Sequence, residues 1–460
     1  MRRFMIQKFK WLITLVLLSG FMPFFASAAP SAASVSLTPS SPTVNACDTA
    51  EIQIWVNDVA NFYAIDVRLA FDPSKIEVQD ATPGGLINLR PETSWFTAGY
   101  TIKNEVNNST GTIWYAATQT SPTPALTGSG PIATILVKGK SAGTTSLNFT
   151  YKKLSDPSGI EIPASISNGS VTATSPPVPD LSISRLNASD VRLSWTAESG
   201  VSGYHLYRST TPYFHPADPA YQSTTSTSYD DTGVLGDESV NYFYSVRSEC
   251  TDTNKSASSD QVGKFEYRLY ETTGTDFNWV GLPLNVPGLS KASDLANHIQ
   301  NNSSASVSTS TVSRWNAPGQ NITTYLHTIS FNDFNIYIKH PYRVAVDVSS
   351  GNQVVWAMVG PLPGITYDTH TLYETTGTDF NWIMQPLDMT AVTSASYLAN
   401  NIQANASAPV SVLTVSRWNA PAQNITTYLH QIGFNNFTTR FGYPYRVSVD
   451  VNSGTSVTWP

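Results

Sequence analysis

Charged side chains make up only 13% of this 460-residue chain, with 26 Lys and Arg against 33 Asp and Glu and a formal net charge of −7. A nucleic-acid partner is excluded on that balance, because phosphates need a basic face. Cysteine is scarcer still. Cys47 and Cys250 are the complete set, and they allow one pairing. Either a disulfide that clamps two domains together or two buried thiols fits the sequence. The seven histidines are scattered, and none stands at a zinc-like spacing from a cysteine or another histidine. A Gly-x-Ser-x-Gly elbow, a phosphate loop and a dinucleotide fingerprint are all missing. No stretch is left over to build the two-carboxylate cleft of a glycosidase. These absences speak against an enzyme, a cofactor or a metal centre.

Long apolar runs are also missing, except at the N-terminus. Arg2, Arg3, Lys8 and Lys10 precede the apolar run Trp11 to Phe25, and Ala26-Ser27-Ala28 offers small residues for cleavage before Ala29. That is a secretory signal over residues 1–28, leaving no membrane span once it is removed. The expected location is secreted or at the cell surface. No sorting signal is seen near Trp459-Pro460, so release and attachment both stay open.

What is present is strand-forming sequence. In Phe62 to Val78, Ile65, Val67, Leu69 and Phe71 alternate with Asp66, Arg68 and Ala70, the period of a half-buried strand. Asp72-Pro73 breaks it, since proline lacks an amide to donate. Further strands are expected at Val35 to Leu37, Ala50 to Val56, Thr112 to Ala117, Ile132 to Val137, Thr145 to Phe149 and Gly169 to Thr172, with Pro83-Gly84-Gly85 among the turns. The expected fold class is mainly β and multidomain.

Val35 to Val56, the Ala64-to-Val78 stretch, Gly130-Pro131-Ile132-Ala133-Thr134-Ile135 and Gly169-Ser170-Val171 together resemble the cohesin domain over residues 34–174. The resemblance implies a jelly-roll β-sandwich that binds dockerin domains and assembles extracellular polysaccharide-degrading complexes. It also implies that Asp66, on the outer face of the strand leading to Asp72-Pro73, contacts the partner with Arg68 beside it. Ala64 stands where the family often has asparagine, and Tyr115-Ala116-Ala117 stands where it carries a partner-facing glutamate. No dockerin-like calcium loop occurs in this chain.

Ser175-Pro176-Pro177-Val178-Pro179 reads as an extended linker over 175–179. Residues 180–265 resemble a fibronectin type III domain, through Val191-Arg192-Leu193-Ser194-Trp195, Tyr204-His205-Leu206-Tyr207 and Asn241 to Val246. Such domains are commonly spacers. Leu269 to Trp279 recurs unchanged as Leu372 to Trp382, a displacement of 103 residues that continues to Trp356 and Trp459. Two tandem modules, 266–360 and 369–460, are therefore expected, each a small β-rich (α+β) unit with a serine-capped helix near Ala292 to Ile299. They resemble a module of exported bacterial proteins. Trp315, Tyr325, Trp418 and Tyr428 are candidates for stacking on sugar rings, against a core-filling role for the same residues. The leading expectation is a non-catalytic scaffold that binds a dockerin-like or other extracellular protein. Polysaccharide binding by the sandwich or the repeats is the alternative, and a purely structural stalk the third.

Overall fold

A computed structural model describes residues 32–81, 87–250, 254–364, 369–452 and 454–459. The expected signal segment 1–28 and the turn at Pro83-Gly84-Gly85 lie outside the described residues. The chain is mainly β. Among the described residues no helix is long and apolar enough to cross a membrane.

The first unit is a two-sheet sandwich. One sheet runs in the order Ser165–Ile166, Ser34–Thr38, Thr49–Phe62, Leu126–Gly139 and Ile76–Gln79. The other runs Thr43–Asn45, Gly169–Thr174, Gly143–Ser155, Ala64–Ala70, Thr112–Thr118 and Tyr100–Asn107. Ile65, Val67 and Leu69 enter the core with Ile52, Ile54, Val56 and Phe62 from the facing sheet, the burial that holds such layers together. Tyr100–Asn107 escapes the period-two test because it is an edge strand with scarcely a buried side chain.

The linker leads into a second sandwich, whose sheets are Leu181–Arg185, Val191–Trp195 and Ser228–Asp231 against Gln222–Thr224, Gly203–Ser209, Tyr242–Glu249, Val262–Tyr270 and Gln353–Pro361. Trp195, Tyr204, Leu206 and Tyr244 fill its core. The expected boundary at 265/266 falls inside a strand and needs correction. Val262–Tyr270 pairs through its first residues with Tyr242–Tyr244 and along its whole length with Gln353–Pro361. The second sandwich and the first repeat therefore share one continuous sheet.

Each repeat has a four-stranded sheet with a helix against it. The first comprises Asn278–Gly281, Pro341–Val348, Val307–Asn316 and Asn321–Leu326, and the second Asn381–Met384, Pro444–Val451, Val410–Asn419 and Asn424–Leu429. Helix Ala292–Asn301 buries Ala292, Leu295, Ala296 and Ile299, and helix Ala395–Asn405 buries their counterparts Ala395, Leu398, Ala399 and Ile402. A serine caps only the second helix, where the Ser394 hydroxyl accepts from the Tyr397 amide. In the first helix the cap position is Lys291, and the Asp294 carboxylate accepts from the Ser290 and Lys291 amides instead.

Cys47 and Cys250 are joined in a disulfide, with their Cα atoms 5.0 Å apart. Around it, Asn254 Nδ2 donates to the Lys140 carbonyl at 2.6 Å, and Ala46 and Val201 pack beside the sulfurs. Besides the linker, the bridge is the covalent tie between the two sandwiches, with the Asn254–Lys140 and Ser199–Asp48 hydrogen bonds beside it, so it constrains their mutual orientation. With Cys250→Ser, X-ray scattering should report a larger radius of gyration, and proteolysis within 175–179 should quicken. Unchanged scattering would mean that the polar contacts suffice.

Candidate functional site

The exposed face of the second sheet of the first sandwich brings Asp66 and Arg68 together with residues far away in sequence. Alternation along Ala64–Ala70 turns both outward. The neighbouring strand Thr112–Thr118 pairs Arg68 with Trp114 and Asp66 with Ala116. On the other side, Gly143–Ser155 pairs Arg68 with Tyr151 and Asp66 with Lys153. Trp114 Nε1 donates to Asp66 Oδ1 at 2.8 Å. The Arg68 guanidinium lies 4.2 Å from the Trp114 ring centre and 4.9 Å from that of Tyr151, a cation sandwiched between two aromatic faces. Lys103 Nζ lies 5.0 Å from the Trp114 ring centre and is paired with Glu105 at 2.6 Å. Such exposed pairs contribute little stability, typically under about 1 kcal/mol; here they hold side chains in place on a face.

Two β-bulges shape this surface. One between Thr101 and Lys103 leaves Ile102 extra on the edge strand, and one between Phe149 and Tyr151 leaves Thr150 extra. An extra residue bends a strand and re-aims its side chains. Ile102 and Tyr100 are more than half exposed. Between the edge strand and Thr112–Thr118, Gly111 adopts φ +69°, and a Cβ there would stand 2.1 Å from the Phe71 carbonyl oxygen. Only glycine closes this turn without displacing the end of the Asp66 strand. A cleft of about 490 Å³ lies beside Arg68 and Trp114, with Glu105 and Thr150 on its rim.

The sequence placed Asp66 and Arg68 on this face but did not find Trp114, Tyr151, Lys103 or Lys153. For Trp114 the signal was available, since alternation in Thr112–Thr118 sends it outward between buried Ile113 and Tyr115. The same alternation corrects one expectation: Ala117, matched to the family's partner-facing glutamate, is paired with Ile65 and fully buried. The residue of that strand paired with Asp66 is Ala116, which is itself buried.

The proposed sugar-stacking set also needs correction. Tyr325 and Tyr428 are buried in the repeat cores. Trp315 stacks on Phe380 at 4.3 Å and Trp418 on Phe277 at 4.3 Å, each ring in one repeat covering a phenylalanine of the other. Their indole N–H groups donate to the carbonyls of Phe380 and Phe277, both at 3.0 Å. Gln320 and Gln423 bond the backbone of the same two phenylalanines. Trp279 and Trp382 stack on each other at 3.9 Å. Every contact has its counterpart 103 residues away, so the repeats meet as two copies related by a pseudo-two-fold axis. The aromatics that looked available for a ligand largely hold the two repeats to each other.

Residues 35–173 match the family described as Cohesin domain. Solved structures similar to this chain include a cohesin from Clostridium acetobutylicum, at 21% identity over 32% of this chain and 92% of that one, with a TM-score of 0.26. Another is a type I cohesin–dockerin complex from Clostridium thermocellum, at 14% identity over 31% of this chain and 100% of that one, with a TM-score of 0.26. A third is a non-cellulosomal cohesin from the archaeon Archaeoglobus fulgidus, at 12% identity over 31% of this chain and 92% of that one, with a TM-score of 0.23. No curated protein matches the chain.

Proposed function

We propose that the chain is an exported, non-catalytic assembly protein whose first sandwich, a cohesin domain, docks a dockerin-type partner on the face around Asp66 and Arg68. Cohesin domains bind dockerins, and the family match at residues 35–173 carries that part of the reading. The choice of face rests on the fixed row Tyr151–Arg68–Trp114–Glu105 with Asp66 and Lys153 beside it. A cation held between two rings is already ordered before binding, which reduces the entropy lost on docking. Arginine and aromatic residues are also the commonest energetic anchors of protein interfaces. On this reading the fibronectin III-like unit that begins at residue 180 and the two repeats, joined to it through the shared strand Val262–Tyr270, act as a stalk, with the disulfide setting the angle of the docking domain.

Titration of the full chain with a calcium-loaded dockerin domain is expected to give saturable one-to-one binding. Arg68→Ala should weaken it at least about tenfold, as expected for an interface anchor, with thermal stability little changed. Wild-type affinity in both Arg68→Ala and Asp66→Ala would remove this face from the reading. A partner bound elsewhere on the first sandwich would leave the family assignment standing.

A further inference from the structure

Beside the junction of the two repeats lies a cleft of about 580 Å³, within the size range of small-ligand sites. The second repeat supplies Arg417, Trp418, Asn419 and Arg440, the first supplies Tyr270 and Trp279, and the Arg268–Glu238 pair closes one wall. Trp279 has one face covered by Trp382 and Trp418 one face covered by Phe277. Both tryptophans also line the cleft. Arg417 rests its guanidinium 4.9 Å from the Phe437 ring centre, and Arg440 stands beside the Tyr443 hydroxyl. Among the described residues neither arginine has a carboxylate partner. Three arginines therefore face one glutamate, within a chain whose formal net charge is −7.

Arg417 is repeated as Arg314, which rests 4.9 Å from the Phe334 ring centre as Arg417 does from that of Phe437, whereas Arg440 and Arg268 belong to one side of the pseudo-two-fold axis only. At the positions 103 residues earlier, Tyr337 replaces Arg440 and His340 replaces Tyr443; 103 residues later, Thr371 replaces Arg268. The tryptophans, by contrast, are repeated on both sides. The aromatic pairs thus serve the joint between the repeats, which needs symmetry, whereas Arg440 is unrepeated and brings to the cleft a charge that the joint does not need.

We infer that this cleft binds an acidic oligosaccharide, a short run of uronate sugars. Pyranose rings offer apolar C–H faces to aromatic surfaces, and their hydroxyls match the Asn419 amide and the Tyr270 hydroxyl. A uronate carboxylate accepts two parallel hydrogen bonds from a guanidinium, the geometry in which arginine outperforms lysine. This inference does not rest on the dockerin reading, since the cleft shares no residue with the face around Asp66.

The test is calorimetric titration of the full disulfide-bonded chain with trigalacturonate, with cellotriose and hexaglutamate as comparators. Trigalacturonate should bind saturably and more weakly at higher salt, with cellotriose at least about tenfold weaker. Arg417→Ala and Arg440→Ala should each lose about tenfold, the scale of one charge-assisted contact. Asp66→Ala should bind trigalacturonate like wild type. Both arginines are exposed, so the variants should melt like wild type, and that melt separates lost binding from lost folding. Absence of trigalacturonate binding, hexaglutamate binding as tight as trigalacturonate, or full affinity in both arginine variants would each overturn the inference.

Discussion

Glu266→Gln is expected to destabilise the chain by about 3–5 kcal/mol, the usual cost of leaving one charge of a buried pair without its partner. Lys264 Nζ and Glu266 Oε2 stand 2.6 Å apart, and both side chains are essentially without solvent contact. Lys264 also donates to the Asp237 carbonyl at 3.1 Å, and Glu266 Oε1 accepts from the Gly236 amide at 2.7 Å. Arg268, two residues further along the same side of the strand, clasps Glu238 through both carboxylate oxygens. Three side chains at a period of two thus fasten Val262–Tyr270 to the loop ahead of Tyr242–Glu249. That strand also belongs to the first repeat, so the same bonds set how the repeats leave the second sandwich. Chemical denaturation should show the loss in the transition that contains this shared sheet. The double variant Lys264→Met with Glu266→Leu, which leaves no stranded charge, should recover most of it. A loss as large in the double variant would mean that the packing around the pair, not its charge, matters.

Lowering the pH should weaken the first repeat through one histidine whose position in the second repeat is an asparagine. His298 is partly buried on helix Ala292–Asn301 and accepts at Nδ1 from Trp356 Nε1 at 3.0 Å. Burial pushes its pKa down to about 4, and the nearby Arg185 guanidinium acts in the same direction. Between the unfolded value near 6.5 and about 4, the unfolded chain takes up a proton that the folded chain refuses. Stability therefore falls as pH drops through that window. The contribution is complete above about 6.5, and below about 4 it is spent, with a total of about 3 kcal/mol at most. Protonation also makes Nδ1 a donor, which breaks the bond from Trp356. The second repeat offers its own control. Trp459 Nε1 donates to Asn401 Oδ1 at 3.0 Å, and Asn401 is the counterpart of His298. His298→Asn should therefore keep the neutral-pH stability of the first repeat and flatten its dependence between pH 6.5 and 4. Melting scans across this range check it, and an unchanged pH slope in the variant would assign the dependence to other groups.

What could be read in the sequence follows the physics of burial. Ile65, Val67 and Leu69 have one wet and one dry side, so their alternation placed Asp66 and Arg68 on an exposed face. Tyr100–Asn107 is wet on nearly all sides and gave no such period, which hid the edge of the candidate face. Lys264 and Glu266 imitate the wet side of a strand while lying buried. The boundary at 265/266 came from the fibronectin type III resemblance and the start of the repeat, and neither shows that one strand serves both units. The displacement of 103 residues was legible to the last tryptophan, but not that the copies dock on each other. Phe277 and Trp418 meet across 141 residues, and a repeat lists which side chains recur without saying whether they face their own core, a ligand or the other copy.

The central claim is that the face around Asp66 and Arg68 recruits a dockerin-bearing protein outside the cell. Its most direct measurement is affinity capture of the secreted proteome of the source cells on the full chain, wild type beside Asp66→Ala with Arg68→Ala. The account predicts calcium-dependent recovery of dockerin-bearing proteins on the wild type and their loss on the variant. Recovery of no dockerin-bearing protein, or equal recovery on both, would contradict it.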